Sequence, residues 1–329
     1  MARWFRFTIY LLGFAGALLL TVLIVREGAT KIAAALASAS WAFPVIAAIN
    51  LPRFLSDAAA WLALVPKLDR PRFRTAIWIR WLGGSVNDLL PSARLGGDIL
   101  TARLATISGG LSPTLASGVA VVNATISVCL RIVFTMACLI LLAGVTGQGQ
   151  LYLPTLLAGF AGLVAVAGLY IIQRFGFFQL VTRLKYLAKW NALVQSGPKF
   201  DETVRALYSR RLGLLTCGLL WIVSWLIGCV ETWIALFALG MHTNFVVALI
   251  VDTAGQGIRS VFFIVPAGLG VFEGGMVVIC NVFGIPGDVA LALSLIRRAR
   301  EALFSAPGLI VWQFLEARRV LRRLHPQAG

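Results

Sequence analysis

The chain has 329 residues, of which 59% are hydrophobic and only 13% charged, with a mean hydropathy of +0.88. A water-soluble domain of this length carries about a quarter charged residues, so the composition excludes one and points to an integral membrane protein. The net charge of +16 does not indicate nucleic acid, because the basic residues stand in short clusters between apolar runs, as in loops that face anionic lipid.

The first apolar run, Phe7–Val25, follows Arg3 and Arg6. Ala35-Leu36-Ala37 resembles a signal-peptidase site, but the run is longer than a signal peptide's apolar region, which predicts an uncleaved span. Further spans are expected at about Ala39–Leu64, about Thr114–Ala143, Leu151–Gln173, about Leu212–Gly240 and about Val289–Phe314. Between them lie two broken apolar regions, Ile77–Ile107 and Phe245–Phe283. The segment Phe177–Tyr208 mixes aromatic, leucine and basic residues, and reads equally as an interfacial helix or a basic loop.

Lysine and arginine orient the spans. The loop Lys67–Arg74, the stretch Arg174–Arg211 and the tail Arg318–Arg323 are basic, whereas the turns Gly144–Gln150 and Met241–Asn244 contain neither residue. The positive-inside rule therefore places the basic stretches and both termini in the cytoplasm. Arg26 and Lys31 flank a short turn that fits this arrangement least well. Parity then requires Ile77–Ile107 to cross either not at all or twice. Each arm around Pro91–Leu95 has only about 13 residues, roughly 20 Å of helix, too short to span ~30 Å of hydrocarbon. A re-entrant hairpin fits, and the same reasoning predicts a second hairpin from the opposite face at Phe245–Phe283.

The expected fold is thus an all-α integral membrane protein with about six full transmembrane helices plus two opposed re-entrant helical hairpins, arranged as an inverted repeat. The chain reads as a single polytopic membrane domain, 1–329. Its repeat halves fall at about 39–143 and 212–316, joined through the basic segment 174–211.

Two look-alike segments mark the hairpin breaks. One runs Leu90-Pro91-Ser92-Ala93-Arg94-Leu95-Gly96-Gly97-Asp98, the other Val265-Pro266-Ala267-Gly268-Leu269-Gly270-Val271-Phe272-Glu273. Each passes from proline through small residues to Leu-Gly and a carboxylate. Such breaks at membrane depth are tolerated where protein or a wet cavity satisfies the backbone. Ionisable residues in the bilayer are costly and usually face the protein interior. The candidates for substrate binding or translocation are Asn87, Asp88, Arg94, Asp98, Arg131, Glu231, Arg259, Glu273, Arg298 and Glu301. The hairpin breaks are Pro91, Gly96, Gly97, Pro266, Gly268 and Gly270, for whose glycines close helix packing is the alternative role.

Asn123, Ser127, Arg131 and Thr135 recur every four residues, as one polar stripe on the helix after the first hairpin. Ser294, Arg297, Arg298, Glu301 and Ser305 form a second stripe, on which Arg297 and Glu301 are spaced to pair. Arginines on these faces suit phosphate or another anion. Asp98 and Glu273 are the expected symmetry-related carboxylates, with Arg94, Arg131 and Arg298 as their partners or as head-group ligands. The alternative is that these charges lock the hairpins in place.

The five cysteines lie in apolar segments without a CxxC pair and read as small buried hydrophobes. With the two histidines far apart in sequence, no metal and no cofactor is expected. No catalytic motif is present, so an enzyme is the less favoured reading.

Through Asn87-Asp88-Leu89-Leu90-Pro91, Leu95-Gly96-Gly97-Asp98, Ala102-Arg103-Leu104 and Pro266–Gly274, the chain resembles the lysylphosphatidylglycerol synthase transmembrane, or flippase-like, family. The resemblance runs from about Trp41 to Arg319. Gly96-Gly97-Asp98, Arg298-Ala299-Arg300-Glu301 and Ala306–Gln313 make it most similar to the hopanoid biosynthesis-associated members. The resemblance implies a multi-pass inner-membrane protein that moves or presents a polar lipid, anionic or hopanoid-type, with lipid-synthesis enzymes as partners. Two other readings stand beside it. One is a membrane enzyme or accessory subunit that modifies a polyprenyl- or hopanoid-linked lipid, and the other is a non-catalytic scaffold of a lipid-synthesis complex.

Overall fold

The computed structural model describes residues 18–89, 95–146, 152–175, 191–261 and 268–324. All regular structure among them is helical, with no strand. Helix α1 (residues 18–27) leads through Gly28 into α2 (Ala29–Ser38), α3 (Ala42–Leu64), α4 (Phe73–Leu89) and α5 (Leu95–Ile107). There follow α6 (Pro113–Thr146), α7 (Tyr152–Phe175), α8 (Asn191–Ser209) and α9 (Arg211–Ala238). The last three are α10 (Phe245–Val261), α11 (Val271–Val282) and α12 (Gly287–Leu324).

Among the described residues, three helices are long and apolar enough to cross a membrane: α3, α6 over Pro113–Gly144, and α9. They match the spans expected there to within a turn of helix. Helix α12 is longer, at 38 residues, but carries Arg297, Arg298, Arg300 and Glu301 in one stretch. The expected span Phe7–Val25 lies mostly outside the described residues. Its end is helical, and the turn expected over Arg26–Lys31 narrows to Gly28, whose φ of +93° breaks the helix. Lys31 is already inside α2.

Both broken regions form pairs of short helices that pack on each other. Helices α5 and α11, at 13 and 12 residues, reach only about 18–20 Å. Glycine sets the spacing of the first pair. A methyl on Gly83 would overlap Thr101 and stand 2.8 Å from the carbonyl oxygen of Gly97, while one on Gly97 would run into Gly83 and Asn87. The neighbouring Gly84 has no atom within 4 Å of the place its Cβ would take. This contrast gives a prediction. Gly83→Ala is expected to cost about 1–3 kcal/mol through overpacking and Gly84→Ala less than about 0.5 kcal/mol, read as thermal unfolding of the purified protein. Equal effects would contradict the packing described.

Helix α8 packs on α6 and α7 and places Val204 and Leu207 in the apolar core. Tyr208 Oη donates to Gln173 Oε1 at 2.6 Å. The described part of the basic segment is therefore a docked helix, because an amphipathic pattern with apolar residues on one face finds a core to bury them in.

Two apolar cores sit at opposite ends of the α3–α9 pair. One gathers Ala42 and Ile46 with Leu236, Met276 and Leu293. The other gathers Trp61 and Leu64 with Ile79, Leu104 and Cys217. The residues of α3 and α9 that belong to neither core lie halfway along both helices.

Candidate functional site

Those halfway residues include a polar set among apolar ones such as Leu51 and Phe54. Arg53 stands at the centre of α3, with Asn50 and Asp57 one turn to either side, and Trp221, Ser224 and Trp225 at the centre of α9. Together with α4, α6, α10 and α12 they line a half-open cavity of about 470 Å³. Its lining holds five arginines (Arg53, Arg80, Arg131, Arg259 and Arg300) and three carboxylates (Asp57, Asp88 and Glu301). A pocket of about 20 Å³, large enough for a single water molecule, continues from it past Arg131 and Gln256 to Asp252.

The carboxylates are held individually. Arg80 Nη2 donates to both oxygens of Asp57, at 2.9 and 2.8 Å. Arg259 grips Glu301 with two bonds, at 2.6 and 3.0 Å. The Ser305 hydroxyl donates to Asp88 at 2.8 Å. Arg300 ties the centre together, donating to Asn50 at 3.0 Å and to Glu231 at 2.8 Å, with Glu301 3.5 Å away. Glu231 also faces Arg53 at 3.7 Å. Arg131 lies over the Trp225 ring, 4.6 Å from its centroid, a cation–π contact that fixes the guanidinium at the wall.

The Nε–H groups of Arg80, Arg259 and Arg300 are buried and make no hydrogen bond among the described residues. Buried donors without partners are costly, and these belong to guanidinium groups whose planar fork matches phosphate or carboxylate. Helix α12 contributes a further polar feature. Pro307, inside the helix and in the lining, cannot donate to the carbonyl of Leu303, also in the lining.

Of the residues singled out in the sequence, Asn87, Asp88, Arg131, Arg259 and Glu301 line the cavity. Glu231 sits one layer behind, through Arg300. Pro91, Arg94 and Pro266 lie outside the described residues. Asp98, Glu273 and Arg298 are placed elsewhere. Asp98 has a side chain 33% exposed, 3.9 Å from Arg80. Glu273 is fully buried, accepts from the Gly270 amide at 2.7 Å, closes the N-terminus of α11 and pairs with Arg298. It holds the second break in shape, where Gly268 and Gly270 take φ of +60° and +74°, a region costly for other residues. At the first break the corresponding bond comes from the other arm: Asn87 Oδ1 accepts from the Gly97 amide at 2.8 Å. Gly96 is half-buried beside it.

The pairing expected between Arg297 and Glu301 is absent. Arg297 turns to Asp252 on α10, and Glu301 to Arg259. Partners on neighbouring helices outcompete the neighbour one turn away, because the burial they share strengthens them. The α6 stripe is used along its length. Asn123 accepts from Trp221 Nε1 at 3.1 Å, Arg131 lines the cavity and Thr135 lines its extension. Asn50, Arg53, Asp57 and Arg80 escaped the sequence reading. The available signal was Arg53 and Asp57, four residues apart near the middle of an apolar span.

Residues 8–308 match the family described as the lysylphosphatidylglycerol synthase TM region. The chain belongs to this family of membrane proteins. Every residue lining the cavity, from Asn50 to Pro307, falls inside the matched stretch, so the cavity is built wholly from the family's own module. A UPF0104 membrane protein of Methanothermobacter thermautotrophicus is 25% identical over 152 residues, which is 36% of this chain and 44% of that protein. The chain thus aligns with less than half the length of that curated relative. No solved structure matches. Membership in this family fits a membrane protein with a lipid-related role.

Proposed function

We propose that the protein moves a polar lipid between the leaflets of a bacterial inner membrane, taking the head group into the central cavity while the tails stay in the bilayer. The observation that carries this reading is the position of the cavity. An arginine-rich space lies halfway along two helices long enough to cross a membrane, between two apolar cores. A charge at mid-depth is expensive, and a head group in transit needs charge there. The two broken helix pairs act as re-entrant hairpins entering from opposite faces, as halves of an inverted repeat with six full spans and both termini in the cytoplasm. The motifs around Gly96-Gly97-Asp98 and Arg298–Glu301 favour a hopanoid-type or anionic lipid. Lipid-modifying chemistry is less well supported, since each cavity carboxylate is held by an arginine or a hydroxyl rather than set against another carboxylate.

The test is a lipid-accessibility assay in proteoliposomes with head-group-labelled anionic, zwitterionic and hopanoid lipids. The wild type is expected to speed exchange of the anionic or hopanoid probe over protein-free vesicles. Arg300→Gln is expected to slow it at least roughly tenfold, the worth of a charged hydrogen bond. Arg300→Gln combined with Glu231→Gln removes the stranded carboxylate and should restore stability without restoring movement. Wild-type rates in the double variant would mean that Arg300 serves only to neutralise Glu231.

A further inference from the structure

A second, larger recess of about 800 Å³ opens where the end of α3 meets the start of α9. Its walls are apolar, with Ala59 and Leu62 on one side and Leu212 and Leu220 on the other. Its rim carries Lys67, Arg70, Arg210 and Arg211, and no carboxylate contributes to the lining. On α3 the groove residues point away from Asn50, Arg53 and Asp57, half a turn round the helix. The recess therefore lies outside the bundle, on the side opposite the central cavity.

We infer that this groove holds one anionic diacyl phospholipid of the leaflet that borders this end, with its phosphate on the basic rim and an acyl chain along the α3–α9 seam. Charge complementarity identifies the occupant. Among the described residues, none of the four rim cations has a carboxylate within ion-pair distance. Asp69 shares their turn but lies outside the lining. The segments outside the described residues contain no aspartate or glutamate at all, so their side chains offer the rim no counter-charge.

Two of the cations are fixed in place. Arg70 donates to the carbonyls of Val65 and Ala63 at 2.9 and 3.2 Å, and Arg210 to that of Leu64 at 2.6 Å. They close the C-terminus of α3, whose last carbonyls have no helical partner. Arg210 also stands at the N-cap of α9, where no side chain caps the first amides, and these amides favour an anion. Leu212, 81% exposed, supplies apolar surface that water would not cover cheaply. The occupant thus clamps the start of α9 to the end of α3.

This site is independent of lipid movement through the cavity, and the experiment separates the two. Native mass spectrometry of the full-length protein would be titrated with dioleoylphosphatidylglycerol and with dioleoylphosphatidylcholine. The wild type should bind phosphatidylglycerol in clear preference to phosphatidylcholine. Lys67→Gln/Arg211→Gln, which spares the two capping arginines, should weaken that binding roughly tenfold or more, at about fivefold for each cation near an anionic head group. Leu62→Trp fills the groove, keeps every cation and should also abolish it, which decides the matter even if the charge variant fails to fold. Gly84→Trp fills the central cavity and should leave it intact. Equal binding of both lipids by the wild type, or binding that survives the charge and groove variants when each is combined with Gly84→Trp, would overturn the proposal. So would loss in Gly84→Trp alone.

Discussion

Asp252→Ala is expected to lower the stability of the fold by about 3–5 kcal/mol, the cost of stranding one member of a buried ion pair. Asp252 on α10 and Arg297 on α12 pair with side chains each only 7% exposed. Thr232 on α9 completes the cluster, donating to Asp252 at 3.0 Å and accepting from Arg297 at 2.7 Å. Three helices are joined at this point, so removing the carboxylate leaves a buried guanidinium without its ion-pair partner. The double variant Asp252→Leu/Arg297→Met removes both charges and should recover most of the loss, because well-packed apolar side chains often replace a buried pair without penalty. Thermal unfolding of the wild type, Asp252→Leu, Arg297→Met and the double variant in one detergent gives the coupling energy. If Asp252→Ala melts with the wild type, the pair does not hold these helices together.

The all-helical architecture was legible because it rests on local signals. Apolar runs gave α3, α6 and α9, and proline–glycine segments gave the breaks between α4 and α5 and between α10 and α11. The cavity was legible only in part. Asn87, Asp88, Arg131, Arg259 and Glu301 stood out as charges or amides near a break or on a polar stripe, and they do meet in space. Arg53 and Asp57 did not, because a span dominated by alanine and leucine hides a single polar face in its average, and Arg80 did not, because it stands among the aliphatic and aromatic residues of α4, away from the break. Their meaning depends on which helix lies opposite, and sequence spacing within one helix does not contain that.

The likeness of Asp98 to Glu273 shows the same limit. Equivalent positions in two similar motifs meet different surroundings. Glu273 is sealed under its own helix terminus with Arg298, while Asp98 stays partly exposed beside Arg80. At the first break the bond to the backbone is made by Asn87 instead. A helix terminus needs some acceptor for its amides, and which residue provides it depends on what packs beside that terminus.

If a lipid head group passes through the cavity, a group placed at Gly84 stands in its way. This glycine lines the cavity and faces open space, so Gly84→Cys adds a thiol without disturbing the packing. Of the native cysteines, Cys138, Cys217, Cys229 and Cys280 are buried and Cys129 is half-buried, so the wild type serves as the labelling control. The measurement is lipid exchange in one batch of proteoliposomes before and after reaction with a bulky, water-soluble thiol reagent. Wild-type exchange is expected in Gly84→Cys before the reaction and a loss of more than roughly tenfold after it, since a bulky group fills much of a cavity of about 470 Å³, while the treated wild type is unaffected. Unchanged exchange in fully labelled Gly84→Cys would contradict it, because lipid would then be moving by a route that does not pass through the cavity.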